Sequence, residues 1–366
     1  MTTTDTNEVL ITPEVKAMIG RRTTPKSAFE ELARGDIRRY VLSTMDDNRL
    51  WYDTAYAEQT RFGAGCAPAT LTLRAVGGYR KDMGQPDQVR DVPLDGEPRG
   101  MDPGESGQET IPWPEGVVGF HGGNDLEYLQ FPKIGDMITS VQEFKEVFEK
   151  TGRNGKFAIA KSDTVFTNQK GEVLLIEHFS RLARRMRPTS EGTPAAATPI
   201  VPSNTVVPSG PAPTELPRYE DIEVGTRLPE RSQLLSIPVM HRWCIATETS
   251  RRDHYDDQYS IEHENGRGAI LSGSFSQAYV YQVLFNLVAP EGWVYRVSLT
   301  QRAMVFSGTM LTFFGTVIDK YEKNGLGYVE VDMGFRTGDG AVPVPGHAVL
   351  VLPLAGGRPV PSPFVP

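Results

Sequence analysis

The sequence predicts an α+β fold in which one plan, a helix followed by an antiparallel sheet, occurs twice. Two observations lead to this prediction. Short apolar runs separated by turn residues recur in both halves of the chain, and a helix–loop segment early in each half aligns with the other without a gap. The 366 residues, 39% hydrophobic and 23% charged, are enough for two or three ordinary globular domains.

Composition excludes several classes of function. The formal net charge of −8 disfavours wholesale binding of nucleic acid or of an anionic membrane. Only two cysteines occur, Cys66 and Cys244, and neither lies in a CxxC pair. A disulfide framework is therefore not expected, and a reducing cytoplasm is the simplest compartment. The polar start, Met1 to Glu8, does not resemble a signal peptide, and no run is long enough to span a membrane.

The first domain is predicted to span residues 1–186. Helical periodicity covers Pro25 to Leu42. Residues 77–116, rich in Gly, Pro and Asp, are longer than an ordinary loop and indicate an insertion or a lid. Turn signals then separate four candidate strands, at Tyr128–Phe131, Met137–Phe148, Lys156–Thr167 and Glu172–Ala183.

Residues 187–217 are predicted to be a linker. Eight prolines lie there among Ser, Thr and Ala, a composition that favours extended polyproline II over a packed core. The second domain, residues 218–366, begins the same plan again. It contains candidate helices at Ile237–Ala246 and Ser274–Val288 and candidate strands at Val294–Phe306, Met310–Tyr321, Gly327–Arg336 and Gly346–Pro353.

The repetition can be expressed as an alignment with a shift of 203 residues. Six identities occur in eighteen positions, which pair Arg39 with Arg242, Thr44 with Thr247, Arg49 with Arg252, Tyr52 with Tyr255, Asp53 with Asp256 and Tyr56 with Tyr259. We interpret this match as an internal duplication. In the same alignment Trp51 faces His254 and Asp46 faces Thr249, so the two halves differ at the positions best suited to chemistry.

A histidine-bearing loop followed by a glycine and an apolar helix suits chemistry on a carbonyl compound. The imidazole of His254 can move protons near neutral pH. The free N–H groups at a helix start near Gly273 can stabilise an oxyanion. The simpler alternative is that Ser272 or Ser274 only caps the helix.

These residues resemble the MaoC-like (R)-specific enoyl-CoA hydratase/dehydratase family. His254-Tyr255-Asp256 is similar to the histidine end of the family motif, and Ser272-Gly273 stands where relatives commonly have His-Gly. The first half resembles the FAS1-like dehydratase N-terminal domain, with Gly135-Asp136 before a strand and Asn168-Gln169-x-Gly171 in a turn. The resemblance implies a double hotdog, in which two antiparallel sheets each wrap around a helix and form a pseudo-dimer within one chain.

The departures from the family motif bear on the site. Thr249 stands at the motif's Asp position and Arg251 at its Asn position, whereas the first half keeps Asp46 and Asn48 but has Trp51 in place of the histidine. The first half therefore resembles a degenerate domain, and the second half is expected to carry the site.

The resemblance implies reversible hydration of a trans-2-enoyl-CoA to a 3-hydroxyacyl-CoA, a hydro-lyase reaction of fatty acid or steroid degradation. We expect His254 to act as the base, Thr249 to position the water and Gly273 to hold the oxyanion. Ser272, Arg251, Arg252 and Asp256 are the candidate substrate-binding residues, with Asp256 also a candidate to orient the imidazole. A degenerate first domain would leave room for a bulky acyl group.

No cofactor beyond the coenzyme A of the substrate and no metal site are expected, since the remaining histidines lack ligand spacing. A homodimer or a heteromer with another hotdog chain is the expected assembly. Two alternatives stay open. The chain is a non-catalytic or half-catalytic subunit that needs a partner, or it is an acyl-CoA thioesterase.

Overall fold

The computed structural model describes residues 9–76, 111–152, 155–185, 218–249, 251–264 and 267–366. Within these residues ten strands form one antiparallel sheet, in the order β1-β3-β4-β5-β2-β7-β10-β9-β8-β6. The strands are β1 (Lys26–Ser27), β2 (Val117–Tyr128), β3 (Thr139–Gly152), β4 (Gly155–Thr167), β5 (Val173–Arg185), β6 (Arg231–Leu234), β7 (Trp293–Thr300), β8 (Met310–Lys323), β9 (Leu326–Arg336) and β10 (Val344–Pro353).

The strand order is the same in both halves when each is read from its outer edge. Each half begins with a short edge strand, β1 or β6, followed by three long strands that are joined by short turns. The fifth strand, β2 in the first half and β7 in the second, lies at the centre of the sheet. There β2 pairs with β7, from Gly123 opposite Thr300 to Glu127 opposite Arg296. At Gly123 a Cβ atom would lie 2.4 Å from the carbonyl oxygen of Leu299, so this join between the halves requires glycine.

The helices lie on one face of the sheet. They are α1 (Pro13–Lys16), α2 (Arg34–Thr44), α3 (Arg49–Tyr52), α4 (Thr54–Gln59), α5 (Thr72–Ala75), α6 (Ile237–Ala246), α7 (Asp257–Tyr259) and α8 (Gly273–Val288), with 3₁₀ turns at Ala69–Leu71, Tyr219–Asp221 and Arg252–His254 and a π turn at Ser260–Glu264. Helix α8 is the central one. Thirteen of its sixteen residues are buried, which explains why its sequence is apolar on every side.

The two halves share a local structure as well as a sheet order. Arg49 forms an ion pair with Asp53 and lies over the ring of Tyr56, and the side chain of Asp53 accepts the backbone N–H of Tyr56. Arg252, Asp256 and Tyr259 form the same three contacts in the second half. Three of the six identities that aligned in the sequence therefore form a repeated brace of this loop.

The predicted helix at Pro25–Leu42 is shorter in the structure and begins at Arg34. Lys26 and Ser27 pair with β3 instead, and the backbone N–H of Leu32 donates to the carbonyl of Asp136. Helix α2 then begins where the carboxylate of Asp36 accepts the N–H of Ala33 at 2.8 Å. The apolar residues before Arg34 are spaced like those of a helix, but their backbone groups are used by the sheet.

Most predicted strands lie within a few residues of the observed ones. One exception is the candidate at Tyr128–Phe131, because β2 begins at Val117 and ends at Tyr128. The other is the candidate at Val294–Phe306, because β7 ends at Thr300. The first part of β2 is rich in glycine, and its pairing with β5 shifts register between His121 and Gly123. Glycine disfavours a strand in isolation, so this segment depends on pairing with β5 and β7.

Several predicted features lie partly or wholly outside the described residues. These are residues 77–110 of the predicted insertion and the linker at 187–217, so the domain boundaries stay predictions. Of the insertion, Ile111 is described and is buried in a small cluster with Val15, Met18, Phe144 and Ala160. No helix in the described part of the chain is long and apolar enough to cross a membrane.

Candidate functional site

The loop that follows helix α6 carries His254 to the start of helix α8. The Nδ1 atom of His254 lies 2.9 Å from the carbonyl oxygen of Ile270, three residues before Gly273. A carbonyl only accepts, so Nδ1 carries the proton and Nε2 is the basic nitrogen of a neutral ring. Backbone contact supports this placement, because the N–H of Ile270 donates to the carbonyl of Asp253 at 2.6 Å.

The segment before Ile270 is fixed by Asp257. One of its carboxylate oxygens accepts the backbone N–H of Ala269 at 2.7 Å. Gly268 passes beside the same carboxylate with φ of +115°, and a Cβ there would lie 2.9 Å from it. The imidazole of His254 and the start of α8 are thus held by one hydrogen-bonded loop.

The predicted role of Asp256 in orienting the imidazole is not realised. The Asp256 carboxylate accepts from Arg252 and from the N–H of Tyr259, and Ile270 holds the ring instead. Arg251 is likewise engaged, in a two-point pairing with Asp253 at 3.0 and 2.6 Å. As substrate-binding residues these three stay predictions, and a coenzyme A phosphate would have to replace existing ion pairs of Arg251 and Arg252.

The start of helix α8 carries no side-chain cap. Ser272 is the N-cap residue, yet its hydroxyl accepts no hydrogen bond from the first turn and instead lies 2.8 Å from the hydroxyl of Ser274. The N–H of Phe275 donates to the carbonyl of Ser272, so the N–H groups of Gly273 and Ser274 are the ones at the positive end of the helix dipole that a ligand could use. Ser272 therefore does not cap the helix, and the oxyanion role of Gly273 stays a prediction.

Thr249 lies at the end of the segment that follows helix α6. Its Oγ1 is 3.0 Å from Oγ1 of Thr247, and Nη2 of Arg74 donates to it at 3.4 Å. Thr247 in turn donates to the carbonyl of Trp243. The position that carries a carboxylate in the family motif thus holds a hydroxyl, approached by a guanidinium from helix α5 of the first half.

A buried polar chain from the first half reaches the first turns of α8, and the sequence did not predict it. Glu177 accepts from the amide of Asn124, and the Asn124 oxygen accepts from Gln277 at 2.6 Å, one helical turn after Gly273. The ring of His121 lies 3.5 Å from where a Cβ of Gly273 would be. The one signal that could have revealed this chain is the two-residue alternation of strands β2 and β5. That alternation places Asn124 and Glu177 on the buried face of the sheet.

Burial dominates the protonation equilibria of this region. It lowers the pKa of His254 below the ordinary histidine value, Arg251 and Arg74 lower that pKa further, and Asp253 and the Ile270 carbonyl oppose the shift. Burial also raises the pKa of Glu177 to about 7 and lowers that of His121 to about 4. A neutral His254 at neutral pH is the form that can accept a proton.

The equivalent position in the first half is occupied by a closed hydrogen-bonded cluster. Trp51 donates its indole N–H to the buried Asp46 carboxylate at 2.8 Å, and the amide of Asn286 donates to the other oxygen at 3.1 Å. A small cavity adjoins this cluster, and it is lined by residues including Thr44, Thr70 and Gln282. Edge and face contacts among Trp51, Phe62, Phe131, Phe285 and Trp293 fill the adjacent core.

Comparison with known proteins gives a family model and a fold. Residues 17–177 match the model described as FAS1-like, dehydratase domain region. A solved structure titled MaoC-like dehydratase is 15% identical, with a TM-score of 0.62 over 93% of this chain and 100% of that one. No curated protein sequence matches this chain.

Two further solved structures show the same architecture. A MaoC domain protein dehydratase from Chloroflexus aurantiacus is 16% identical, with a TM-score of 0.58 over 92% of this chain and 96% of that one. A Mycobacterium tuberculosis protein described as having a double hotdog fold is 13% identical, with a TM-score of 0.57 over 93% and 98% of the two chains. At these identities the structures establish the fold, and the predicted double hotdog is confirmed.

Proposed function

We propose that this chain, a MaoC-like double-hotdog protein whose first half belongs to the FAS1-like dehydratase family, reversibly hydrates a trans-2-enoyl-CoA to a 3-hydroxyacyl-CoA. A dehydratase-type hydro-lyase is the activity class of that family. The observation that supports hydration of an enoyl-CoA is the fixed tautomer of His254. Its Nδ1–H is held by the carbonyl of Ile270, just before α8, which leaves Nε2 as the base.

The reaction requires a base, a proton source and an oxyanion site, and the proposal assigns the first two to His254 and the third to Gly273. Nε2 of His254 takes a proton from a water as its oxygen forms a bond to Cβ. The electrons of the Cα–Cβ double bond move towards the thioester oxygen, where the N–H of Gly273 at the start of α8 stabilises the charge. The imidazolium then returns a proton to Cα, and the neutral base is restored. Dehydration is the reverse sequence.

Thr249 positions the water in this proposal and cannot accept its proton. Its hydroxyl is fixed by Thr247 and Arg74, which leaves His254 as the proton acceptor of the pair. Ser272, whose hydroxyl pairs with that of Ser274, is the proposed substrate-binding neighbour of Gly273. All these side chains come from one chain, and a homodimer or a pairing with another hotdog chain stays part of the proposal.

The surroundings of the first-half cluster bear on the expectation of a bulky acyl group. The aromatic rings around Trp51 occupy the space where a degenerate domain was expected to admit a bulky acyl group. The described residues therefore give that expectation no support. Linear and cyclic acyl groups belong in the same substrate panel.

The experiment that tests the proposal follows two products of the same reaction mixture. Purified chain is incubated with a panel of trans-2-enoyl-CoAs, and both the loss of the conjugated enoyl-thioester absorbance and the release of free thiol are measured. We expect absorbance loss, formation of the 3-hydroxyacyl-CoA by mass and no thiol release. Thiol release without hydration would instead establish the thioesterase alternative, and inactivity that is relieved by a second hotdog chain would establish the subunit alternative.

A further inference from the structure

A side chain of the first half reaches Thr249, in the segment before His254. Arg74 lies in helix α5, and its Nη2 atom donates to Oγ1 of Thr249 at 3.4 Å. Residues 74 and 249 are 175 positions apart, so no local pattern in the sequence links them. The family motif has a carboxylate at the position of Thr249, and this chain brings a cation to it.

The guanidinium of Arg74 makes only part of its possible hydrogen bonds with the residues that the structure describes. Its Nε atom is buried and has no hydrogen-bond partner among them. The charges and titratable groups that act on it are Tyr40, Cys244, Glu177 and Glu248. Glu177 is only 5% exposed and acts on Arg74 through its charge. A buried guanidinium that is not neutralised by close contact exerts its field on its neighbours.

We propose that Arg74 is a positioning residue of the His254 site, which fixes the Thr249 hydroxyl and keeps a positive charge beside the imidazole and the substrate. The proposal rests on the proposed hydration. A carboxylate at the motif position would favour the imidazolium, whereas a guanidinium favours the neutral ring that can take a proton from water. The same charge stabilises the enolate-like oxygen that forms as water adds.

A purely structural role is the competing explanation. Arg74 lies beside Cys244 and Glu248 at the C-terminal end of helix α6, where a cation is favourable, and it ties the two halves together. Arg61 provides a matched comparison. Its guanidinium also crosses between the halves, donating to the carbonyls of Pro290 and Gly292 at 2.6 and 2.8 Å, and it does not act on His254.

The test is an NMR titration of the His254 ring protons in the full chain, with the signal assigned from the His254→Gln variant. The variants are Arg74→Met, Arg74→Gln, Arg74→Lys and the control Arg61→Met. The groups that face His254 are Asp253, Arg251, Arg74 and the Ile270 carbonyl, and of these only Arg74 is altered. We expect the pKa of His254 to rise in Arg74→Met and Arg74→Gln and to stay at the wild-type value in Arg74→Lys and Arg61→Met.

Hydration rates complete the test. We expect a loss of about tenfold or more at neutral pH in Arg74→Met and recovery of most of the rate in Arg74→Lys. An unchanged His254 pKa in whichever of the Met and Gln variants folds would overturn the inference and leave the structural role. The titration needs no substrate. A shifted pKa in a chain that hydrates nothing would therefore uphold the charge role of Arg74 and reject the proposed function.

Discussion

One ring distinguishes the two halves of this duplicated chain. Where the second half has His254, whose Nδ1–H is held by Ile270, the first half has Trp51, whose indole N–H is held by Asp46. An indole cannot exchange protons near neutral pH, so Trp51 cannot serve as a base. Asp46 also accepts from the amide of Asn286 and the backbone N–H of Asn48, which leaves its carboxylate fully engaged.

Glu177 is a second residue whose environment sets its protonation. Burial raises its pKa from 4.5 to about 7, so the folded chain binds one more proton than the unfolded chain between those values. The contribution of Glu177 to the free energy of unfolding therefore falls as pH rises from about 4.5 to 7, by on the order of 3 kcal/mol, and stays low above that. Glu177→Gln cannot ionise and is expected to lack this fall.

Chemical denaturation across this pH range tests the prediction. The difference in free energy of unfolding between Glu177→Gln and wild type should grow up to about pH 7 and then level off. Glu58→Gln, at an exposed position, should follow wild type throughout. Parallel pH curves for Glu177→Gln and wild type would show that the buried carboxyl ionises as easily in the folded chain as in the unfolded one.

The site residues that the sequence predicted are those that adjoin one another along the chain. His254, Ser272 and Gly273 share one loop and one helix start, and their spacing carried the prediction. Arg74 and Glu177 reach the same region from the first half, through the packing of α5 and the pleat of β5. Their contribution depends on tertiary contact alone, so local periodicity could not reveal it.

Helix α8 is an element that the sequence predicted, although its tertiary contacts could not be predicted. Its apolar run predicted the helix within one residue of its start, because a helix buried on all sides is apolar on all sides. What lies against its first turn could not be predicted. His121 arrives there through a register shift in β2, and a bulge of this kind has no dependable sequence signature.

Gly273→Ala tests whether the start of α8 acts as the oxyanion site. A Cβ at this position would meet the ring of His121 at 3.5 Å, an ordinary contact, so the fold should tolerate it. The methyl group would instead occupy the space beside the N–H where the thioester oxygen is proposed to bind. We expect the hydration rate to fall by about a hundredfold, with a melting temperature within a few degrees of wild type.

Gly35→Ala is the matched control for this substitution. Gly35 lies in the first turn of α2, where an added Cβ meets only the flexible side chain of Arg39 at 3.4 Å. Its hydration rate should equal that of wild type. If Gly273→Ala hydrates as fast as the control, the start of α8 does not hold the reacting oxygen.

The whole molecule is one sheet built from two equivalent halves. Matching strand order, the repeated Arg–Asp–Tyr brace and the central pairing of β2 with β7 together describe a pseudo-dimer in one chain. The sequence predicted the duplication from the six identities, and three of those pairs form the brace in both halves. The sequence could not predict the pairing of β2 with β7, since the close approach at Gly123 depends on a partner strand about 175 residues away.

The two halves contribute different side chains to the proposed site. The first half brings Arg74 to Thr249, His121 to Gly273, and Glu177 through Asn124 to Gln277. The second half contributes His254, Thr249 and Gly273, while the equivalent position of the first half is closed by Trp51 and Asp46.

The most direct test of a single His254-dependent site compares the hydration rates of wild type, His254→Ala and His263→Ala on the best enoyl-CoA of the panel. His263 lies in the same region of the chain with an exposed side chain and serves as the control. We predict that His254→Ala loses about two or more orders of magnitude in kcat/KM and that His263→Ala retains the wild-type value. Equal rates in all three proteins would contradict the assignment of His254 as the base and place the chemistry elsewhere in the chain.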